Sequence, residues 1–427
     1  LGWFPFLLSF VHNLSSSLDR TEHSLISACR GLTYFSIFTS LSSRPIYNAL
    51  IGLSWGTGCI LGPIIGGSFA VSSATWRWAF YINLPLAALL SPVYIFIFPR
   101  YNPQPDLSGP IKLARLDWVG AVLNAIVFTL FQVVLTFAGS TWKWDSAGPI
   151  AMWAVFGVFL IAYIIQQTFS LFTTPERRLF PLHFLKSRTM ILLFVGTAAS
   201  STALGVGVYY IPLFFQFTRG DSAIRAAVQV LPFITITIFC VMFTGGLLPV
   251  LGRYSPLYII SGVFLIIGGS LMHTIDISTS TSKIYGYEVL MAIGTGTIMQ
   301  IAYAVAVAKV KQHDVQNAIG FINVGQIGTL AISLSIAASV FQNRGYINLR
   351  EALEGYGFTE QDLRGALAGA QSALLGSGSE AVKEKAIMAI IKTLDSVWIL
   401  TIVAGAVSLV SGLFMKWEKL ALQAVGA

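Results

Sequence analysis

The chain has 427 residues, of which 55% are hydrophobic and only 10% charged, and it carries a formal net charge of +8. Soluble domains usually carry about 25% charged residues, and a single soluble core stops growing at roughly 250–300 residues, so this composition points to a lipid bilayer as solvent. The basic excess sits in short connectors between apolar runs, which speaks for orientation in a membrane and against nucleic-acid recognition.

In chain order, residues 1–44 come first and are irregular: a short apolar start, Leu1 to Phe10, then a Ser-rich stretch, then an apolar piece too short to span. The start has no basic region ahead of it and no clear cleavage site, so it reads as neither a signal peptide nor a span. Ten charge-poor apolar runs follow: Pro45–Ala70, Trp78–Phe98, Trp118–Gly139, Pro149–Phe169, Thr189–Phe217, Ala226–Gly252, Pro256–Thr274, Ile284–Ala308, Gln316–Phe341 and Ser396–Met415. Each is long enough to cross about 30 Å as a helix. Helices are expected because lipid leaves every backbone polar group to be satisfied within the segment. The expected fold class is therefore an all-α polytopic membrane protein.

The connectors set the orientation. If the chain enters the first run from the cytoplasm and sides alternate, the inner segments hold 13 basic residues, among them Arg44, Arg177, Arg253 and Lys309, against five in the short outer loops. That bias predicts a cytoplasmic C-terminus. Trp142, Trp144 and Trp153 would then lie near an outer boundary as an aromatic belt. Residues 100–116 read as a cytoplasmic loop, and residues 342–395 as an extracellular insert, either surface decoration or a lid. Within that insert, Thr359-Glu360-Gln361-Asp362-Leu363 reads as a capped helix start, and Gly376-Ser377-Gly378 as a break before a second helix capped by Ser379.

The first run is rich in glycine. Gly52, Gly56, Gly58, Gly62, Gly66 and Gly67 surround Pro63, and the repeated four-residue spacing lets membrane helices approach closely, while Pro63 permits a bend. Gly320, Gly325 and Gly328 in the ninth run form a fainter echo, as repeated halves would give. Gln132, Gln166, Tyr209, Tyr210, Gln216, Gln229, Gln300, Asn323 and Gln326 are polar side chains inside runs, costly in lipid unless they face a bundle interior or cavity. Each reads more readily as a structural hydrogen bond than as a ligand contact; together they make a wet central path plausible. Glu288 is the one charged residue inside a run, near its outer end. It reads as an interfacial carboxylate in contact with water, or as a proton-coupling group. Cys29, Cys59 and Cys240 have no metal or disulfide spacing. His12, His23, His183, His273 and His313 lie in loops or near run ends, away from any acid at membrane depth, so no catalytic constellation, metal site or cofactor is expected and the chain does not read as an enzyme.

Several stretches resemble the major facilitator superfamily, and within it the 14-helix drug:proton antiporters common in fungi. Gly58-x-x-x-Gly62-Pro63-x-x-Gly66-Gly67 is similar to that family's antiporter motif in helix five, and it is followed by Trp76-Arg77-Trp78-Ala79-Phe80-Tyr81-Ile82-Asn83-Leu84-Pro85. Arg44-Pro45-Ile46-Tyr47, Asp117-Trp118-Val119-Gly120, Tyr209-Tyr210-Ile211-Pro212-Leu213-Phe214-Phe215-Gln216, Gly252-Arg253-Tyr254, Gly294-x-Gly296-x-x-x-Gln300 and Phe341-Gln342-Asn343-Arg344 also match its pattern, over roughly residues 44–420. The resemblance implies a remnant of the N-terminal bundle in 1–44, its last two helices in 45–99, a linker pair in 117–169, and a six-helix C-terminal bundle in 189–416. The family's first helices and its gating motif between helices two and three are expected to be missing.

The resemblance further implies alternating access: export of small amphipathic drugs, toxins or secondary metabolites in exchange for protons, by a monomer in the lipid bilayer, most often the plasma membrane, with the vacuolar membrane as the other possibility. Tyr209, Tyr210, Gln216, Gln300, Asn323 and Gln326 are the expected substrate-pathway residues, Glu288 the proton-coupling candidate, and Arg44, Trp76, Arg77, Asn83 and Arg253 structural or gating residues. A siderophore–proton symporter and an inert truncated pseudo-transporter are the other readings.

Overall fold

The computed structural model describes residues 44–73, 75, 77–92, 95–96, 108, 111, 114–139, 141–175, 177–369, 374 and 380–420. The expectations placed on 1–43, on Trp76 and on Gly376 to Ser379 lie outside the described residues, as does most of the 100–116 loop.

Every regular element among the described residues is helical. They are α1 (Arg44–Val71), the short α2 (Trp78–Tyr81) and α3 (Asn83–Pro92), α4 (Trp118–Phe137), α5 (Ala147–Phe169), α6 (Arg188–Arg219), α7 (Ala223–Gln229), α8 (Leu231–Leu251), α9 (Ser255–Met272), α10 (Thr281–Ile298), α11 (Ile301–Lys309), α12 (Val315–Asn323), α13 (Thr329–Ala352), α14 (Glu360–Ala368) and α15 (Glu380–Phe414). Eight helices or helix pairs among the described residues, from α4 onward, are long and apolar enough to cross a membrane, and Trp78–Pro92 is a shorter apolar stretch. These eight coincide with the third to tenth apolar runs. α1, at 28 residues, also has the length to cross lipid. The chain is a multi-pass membrane protein. Below, "inner" and "outer" name the sides that the connector charges assign.

The sequence picture differs from the structure inside the runs. The eighth run is two helices, α10 and α11, joined by a turn at Met299–Gln300. The sixth is interrupted at Val230, where Pro232 stands at the start of α8 and removes a helical donor. The ninth carries a π-turn at Val324–Gly328 between α12 and α13. The tenth begins sixteen residues before Ser396, at Glu380.

α6 to α13 and α15 form one bundle, with α4 and α5 as a hairpin that meets it along α13. Its tightest contact is between α9 and α15. A Cβ at Gly262 would stand 2.4 Å from the Leu409 backbone nitrogen, one at Gly405 2.7 Å from that of Ile266, and one at Gly412 2.7 Å from that of Ile259. Only glycine permits such backbone approach. Buried serines close this seam and the next: Ser408 donates to the Tyr258 carbonyl at 3.1 Å and Ser255 to that of Gly412 at 2.7 Å between α9 and α15, and Ser261 to that of Gly294 at 2.6 Å between α9 and α10.

α1 packs on α8 and α7 and touches α11. Its close approach is at Gly56, where a Cβ would meet Ile238. At Gly58, Gly62 and Gly66 no described atom lies within 4 Å of a Cβ position, and all three are exposed or half-exposed among the described residues. Pro63 and Gly67 lie on α1, with side chains and surroundings outside the description.

The hairpin is locked at its inner end by Asp117. Its carboxylate accepts from the Gly120 amide at 2.8 Å, from Gln166 Nε2 at 2.9 Å, from Gln167 Nε2 at 2.8 Å and from the Leu179 amide at 3.1 Å. One buried carboxylate thus caps α4, holds the end of α5 and fixes the loop after it.

At the outer end, α13, α14 and the first turns of α15 form a cap. Leu349, Leu353, Leu363, Leu367, Val382, Ala386 and Ile390 are buried in it, in the same apolar cluster as Phe214, Phe233 and Trp398 of the bundle. α14 starts as expected, with a full capping box between Thr359 and Asp362.

Candidate functional site

Two interruptions meet near the middle of the bundle. α10 is pressed between α8 and α9: a Cβ at Gly296 would stand 2.4 Å from the Thr237 carbonyl oxygen, and one at Gly294 2.8 Å from the Leu265 backbone nitrogen. Just beyond this squeeze the helix breaks at Met299–Gln300. At the break the Met299 carbonyl accepts from Gln326 Nε2 at 3.2 Å. Gln326 itself lies in the π-turn, which wraps Gly325 against Phe194 of α6. Insertions of this kind concentrate at functional sites.

Tyr303, on α11, ties the two interruptions together. Its hydroxyl lies 2.6 Å from Gln326 Oε1 and 3.2 Å from Asn323 Oδ1. The tyrosine is buried, whereas Asn323 and Gln326 are half-buried. Gln300 Oε1 is buried and has no hydrogen-bond partner among the described residues. The cluster therefore brings amide groups and a tyrosine hydroxyl together next to the buried apolar side chains Phe321 and Ile322, with the Gln300 oxygen left to bond.

The other expected pathway residues lie elsewhere. Tyr209, Tyr210 and Gln216 sit on the outer third of α6, away from this cluster. Tyr210 is 1% exposed, with its ring 5.9 Å from that of Phe341 in the apolar core. Tyr209, its neighbour, is 57% exposed. Gln216 is half-buried. Of the structural or gating residues, Arg44 is the first residue of α1, Arg77 and Arg253 are exposed, and Asn83 donates to the Phe80 carbonyl at 3.0 Å. Tyr303 belongs to this cluster although the sequence does not single it out: a tyrosine within an apolar run does not distinguish a ring in the core from a hydroxyl at a site.

Glu288 lies about 18 Å along the helix axis from Gln300, at 1.5 Å per residue. It is 0% exposed, and neither carboxyl oxygen has a hydrogen-bond partner among the described residues. The reading of an interfacial, water-contacting glutamate is therefore not what the structure shows. Glu288 stands where α6, α8 and α10 converge: Met291, one turn inward, and Phe233 of α8 both border Gly207 of α6. The Phe233 amide, in the first turn of α8, faces the carboxyl without a bond of normal geometry.

One turn outward from Glu288 is a polar chain. The Tyr285 hydroxyl donates to Gln229 Oε1, Gln229 Nε2 donates to Asp221 Oδ2 at 3.1 Å, and Asp221 Oδ1 pairs with Arg225 Nε at 3.2 Å. At the inner end a clasp joins the ends of α8, α9, α11 and α15: Lys309 pairs with Glu418 at 2.8 Å, Tyr254 donates to the same carboxylate at 3.2 Å, and the Leu420 amide donates to the Gly252 carbonyl at 2.7 Å. The Lys309 hydrogen bond holds the Glu418 carboxyl below the usual glutamate range. Among the described residues no group of His, Cys, Asp or Glu could hold a metal ion.

The family model described as Major Facilitator Superfamily matches residues 31–335. The efflux pump patC of Aspergillus clavatus is 41% identical over 391 residues, covering 91% of this chain and 71% of that protein. The MFS-type transporter patC of Penicillium expansum is 41% identical over 383 residues, covering 89% and 70%. The efflux pump alnA of Emericella nidulans is 37% identical over 404 residues, covering 93% and 72%.

Proposed function

This chain belongs to the Major Facilitator Superfamily, and from that premise we propose that it exports small amphipathic organic compounds (drugs, toxins or secondary metabolites) in exchange for protons. Two relatives that cover most of the chain bear the name efflux pump, which favours export over uptake. The working cycle is alternating access: the two halves rock about a site near the midplane, and that site opens in turn to the two sides.

The observation that carries the reading is the Tyr303–Asn323–Gln326 cluster beside the unpartnered Gln300 oxygen. It supplies a few hydrogen-bonding groups in apolar surroundings, the combination that recognises an amphipathic molecule. Interruptions on both contributing helices allow this region to change shape without breaking regular backbone bonds elsewhere. Gln300, Asn323, Gln326 and Tyr303 form the substrate site, with Tyr209 and Gln216 further out on the exit path. Glu288 is the coupling group: a carboxyl buried with no partner is costly when charged, so its charge must be met by a proton or a neighbour at some point in the cycle. We place the protein, as a monomer, in the plasma membrane.

The test is expression in a yeast strain lacking its own drug pumps. The expected result is lowered accumulation of amphipathic fluorescent substrates, abolished when a protonophore collapses the proton gradient. Unchanged accumulation across a chemically broad panel, with the protein present at the cell surface, would reject the reading.

A further inference from the structure

We propose that Tyr285 is the outer gate over Glu288, and that Gln229, Asp221 and Arg225 are the residues that hold it closed. The inference rests on the reading of Glu288 as the coupling carboxyl and adds how that group is shielded from the outer solution.

Tyr285 and Glu288 are three residues apart on α10, hence one above the other on the same face, and Tyr285 is the one nearer the outer end. Glu288 is fully buried and Tyr285 only partly. A path from the outer solution to the carboxyl along this face of α10 passes Tyr285. The tyrosine is not held by packing alone. Its hydroxyl is tied to Gln229 at the last position of α7, Gln229 is tied to Asp221, and Asp221 is paired with Arg225. The Asp221 side chain is only 6% exposed, so the anchor of the chain is itself shielded, whereas Arg225 is 74% exposed. Glu288, Asp221 and Arg225 are the charged groups that act on the Tyr285 hydroxyl. α6 adds Tyr210, in the apolar core, and α8 adds Cys240, against Gly296 two turns further in.

The backbone on the other side of the chain can move. α7 is a two-turn helix cut from α8 at Val230, and Pro232 removes a bond that would bind them into one rod. α7 also rests on α1, the helix of the opposite bundle. A shift of α1 relative to α8 therefore bears directly on α7 and Gln229. When α7 moves out, Tyr285 loses its acceptor and swings away, and water reaches Glu288. A hydronium ion then gives its proton to a carboxylate oxygen and leaves as water. When α7 returns, the tyrosine closes over the neutral acid. Gln229 acts here by holding Tyr285 and carries no proton itself.

The experiment measures access. In a version of the full chain without its native cysteines, Glu288→Cys is exposed to a membrane-impermeant thiosulfonate added outside sealed cells. The reaction rate is compared with that of the same chain carrying Tyr285→Phe or Gln229→Leu. We expect Cys at 288 to react slowly alone and about fivefold faster with either second change, the ratio that the loss of one ordinary hydrogen bond gives. Equal rates in all three would overturn the gate and leave the role of Glu288 standing. Full pumping by Glu288→Gln would overturn the coupling role and leave the access result standing. Should Glu288→Cys not reach the membrane, Met291→Cys, one turn further in, gives the same comparison.

Discussion

Tyr303 and Gln326, on different helices, are joined by a 2.6 Å hydrogen bond between two interruptions of the bundle. The bond spans a turn that ends α10 and a π-turn that ends α12, so it fixes the mutual position of two pieces of backbone that regular helix bonds do not.

Tyr303→Phe removes that bond and keeps the ring. The net loss is about 1 kcal/mol, too little to unfold the protein. Efflux should fall severalfold at unchanged surface level, in the drug-accumulation assay. Wild-type efflux would show that the cluster is mere scaffolding.

Gln300→Leu and Gln326→Leu should each reduce efflux strongly, because they replace polar groups at the site with apolar ones of similar size. Gln326→Leu also releases the Met299 carbonyl and should affect the folded protein more. Surface biotinylation together with resistance assays separates lost pumping from lost protein; unaltered resistance in both variants would move the substrate site elsewhere.

Glu288→Gln keeps the shape of a fully buried side chain and removes its ability to ionise. Proton-driven efflux should be abolished, while the thermal midpoint of the purified protein stays level or rises, since no unpaired carboxylate remains to be buried. A marked drop in stability would mean that the carboxyl has an essential structural partner.

Asp117→Asn replaces an acceptor of four hydrogen bonds by a group whose amide nitrogen must face donors. The cost should be about 2–4 kcal/mol, seen as a lower unfolding temperature in detergent and as protease cleavage in the loop near Leu179. A midpoint within a degree of wild type would contradict the lock.

The inner clasp has a pH signature. Because Lys309 depresses the Glu418 carboxyl, the clasp's contribution to stability is present above the ordinary glutamate pKa and is lost as pH falls through the depressed value. The pair is partly exposed and so screened by salt. Comparing wild type with Glu418→Gln, the difference in unfolding temperature should be present at neutral pH and vanish in acid at low ionic strength. A difference that grows toward acid would have the wrong sign.

The spans were legible because lipid demands it: a crossing helix needs about 20 apolar residues with almost no charge, and runs such as Trp118–Gly139 announce α4 nearly to the residue. The interruptions were silent because they are tertiary. Nothing in the local sequence stops a helix at Ile298; the squeeze of Gly294 and Gly296 against Leu265 and Thr237 involves residues 29 and 59 positions away. Tyr209 and Tyr210 show the limit most plainly. Adjacent residues on a helix point about 100° apart, so one reaches the core and the other the surface, and hydropathy assigns both the same value. Glu288 stood out as the lone charge in a run, but its distance from water depends on which neighbours close over it. The glycines of α9 and α15, Gly262, Gly405 and Gly412, matter more to described packing than Gly58, Gly62 and Gly66, whose spacing is far more conspicuous.

α15 has 35 residues, about 52 Å of helix, against a hydrocarbon layer of about 30 Å. Some four turns therefore stand above the lipid, and they share one apolar cluster with the bundle below. A rod so rooted pivots as its base pivots, and its upper end, with the cap packed on it, sweeps the wider arc. A dye fixed at Lys385, which lies over the ring of Tyr356 in that upper part, would turn each rocking stroke of the buried half into a displacement readable from outside a living cell.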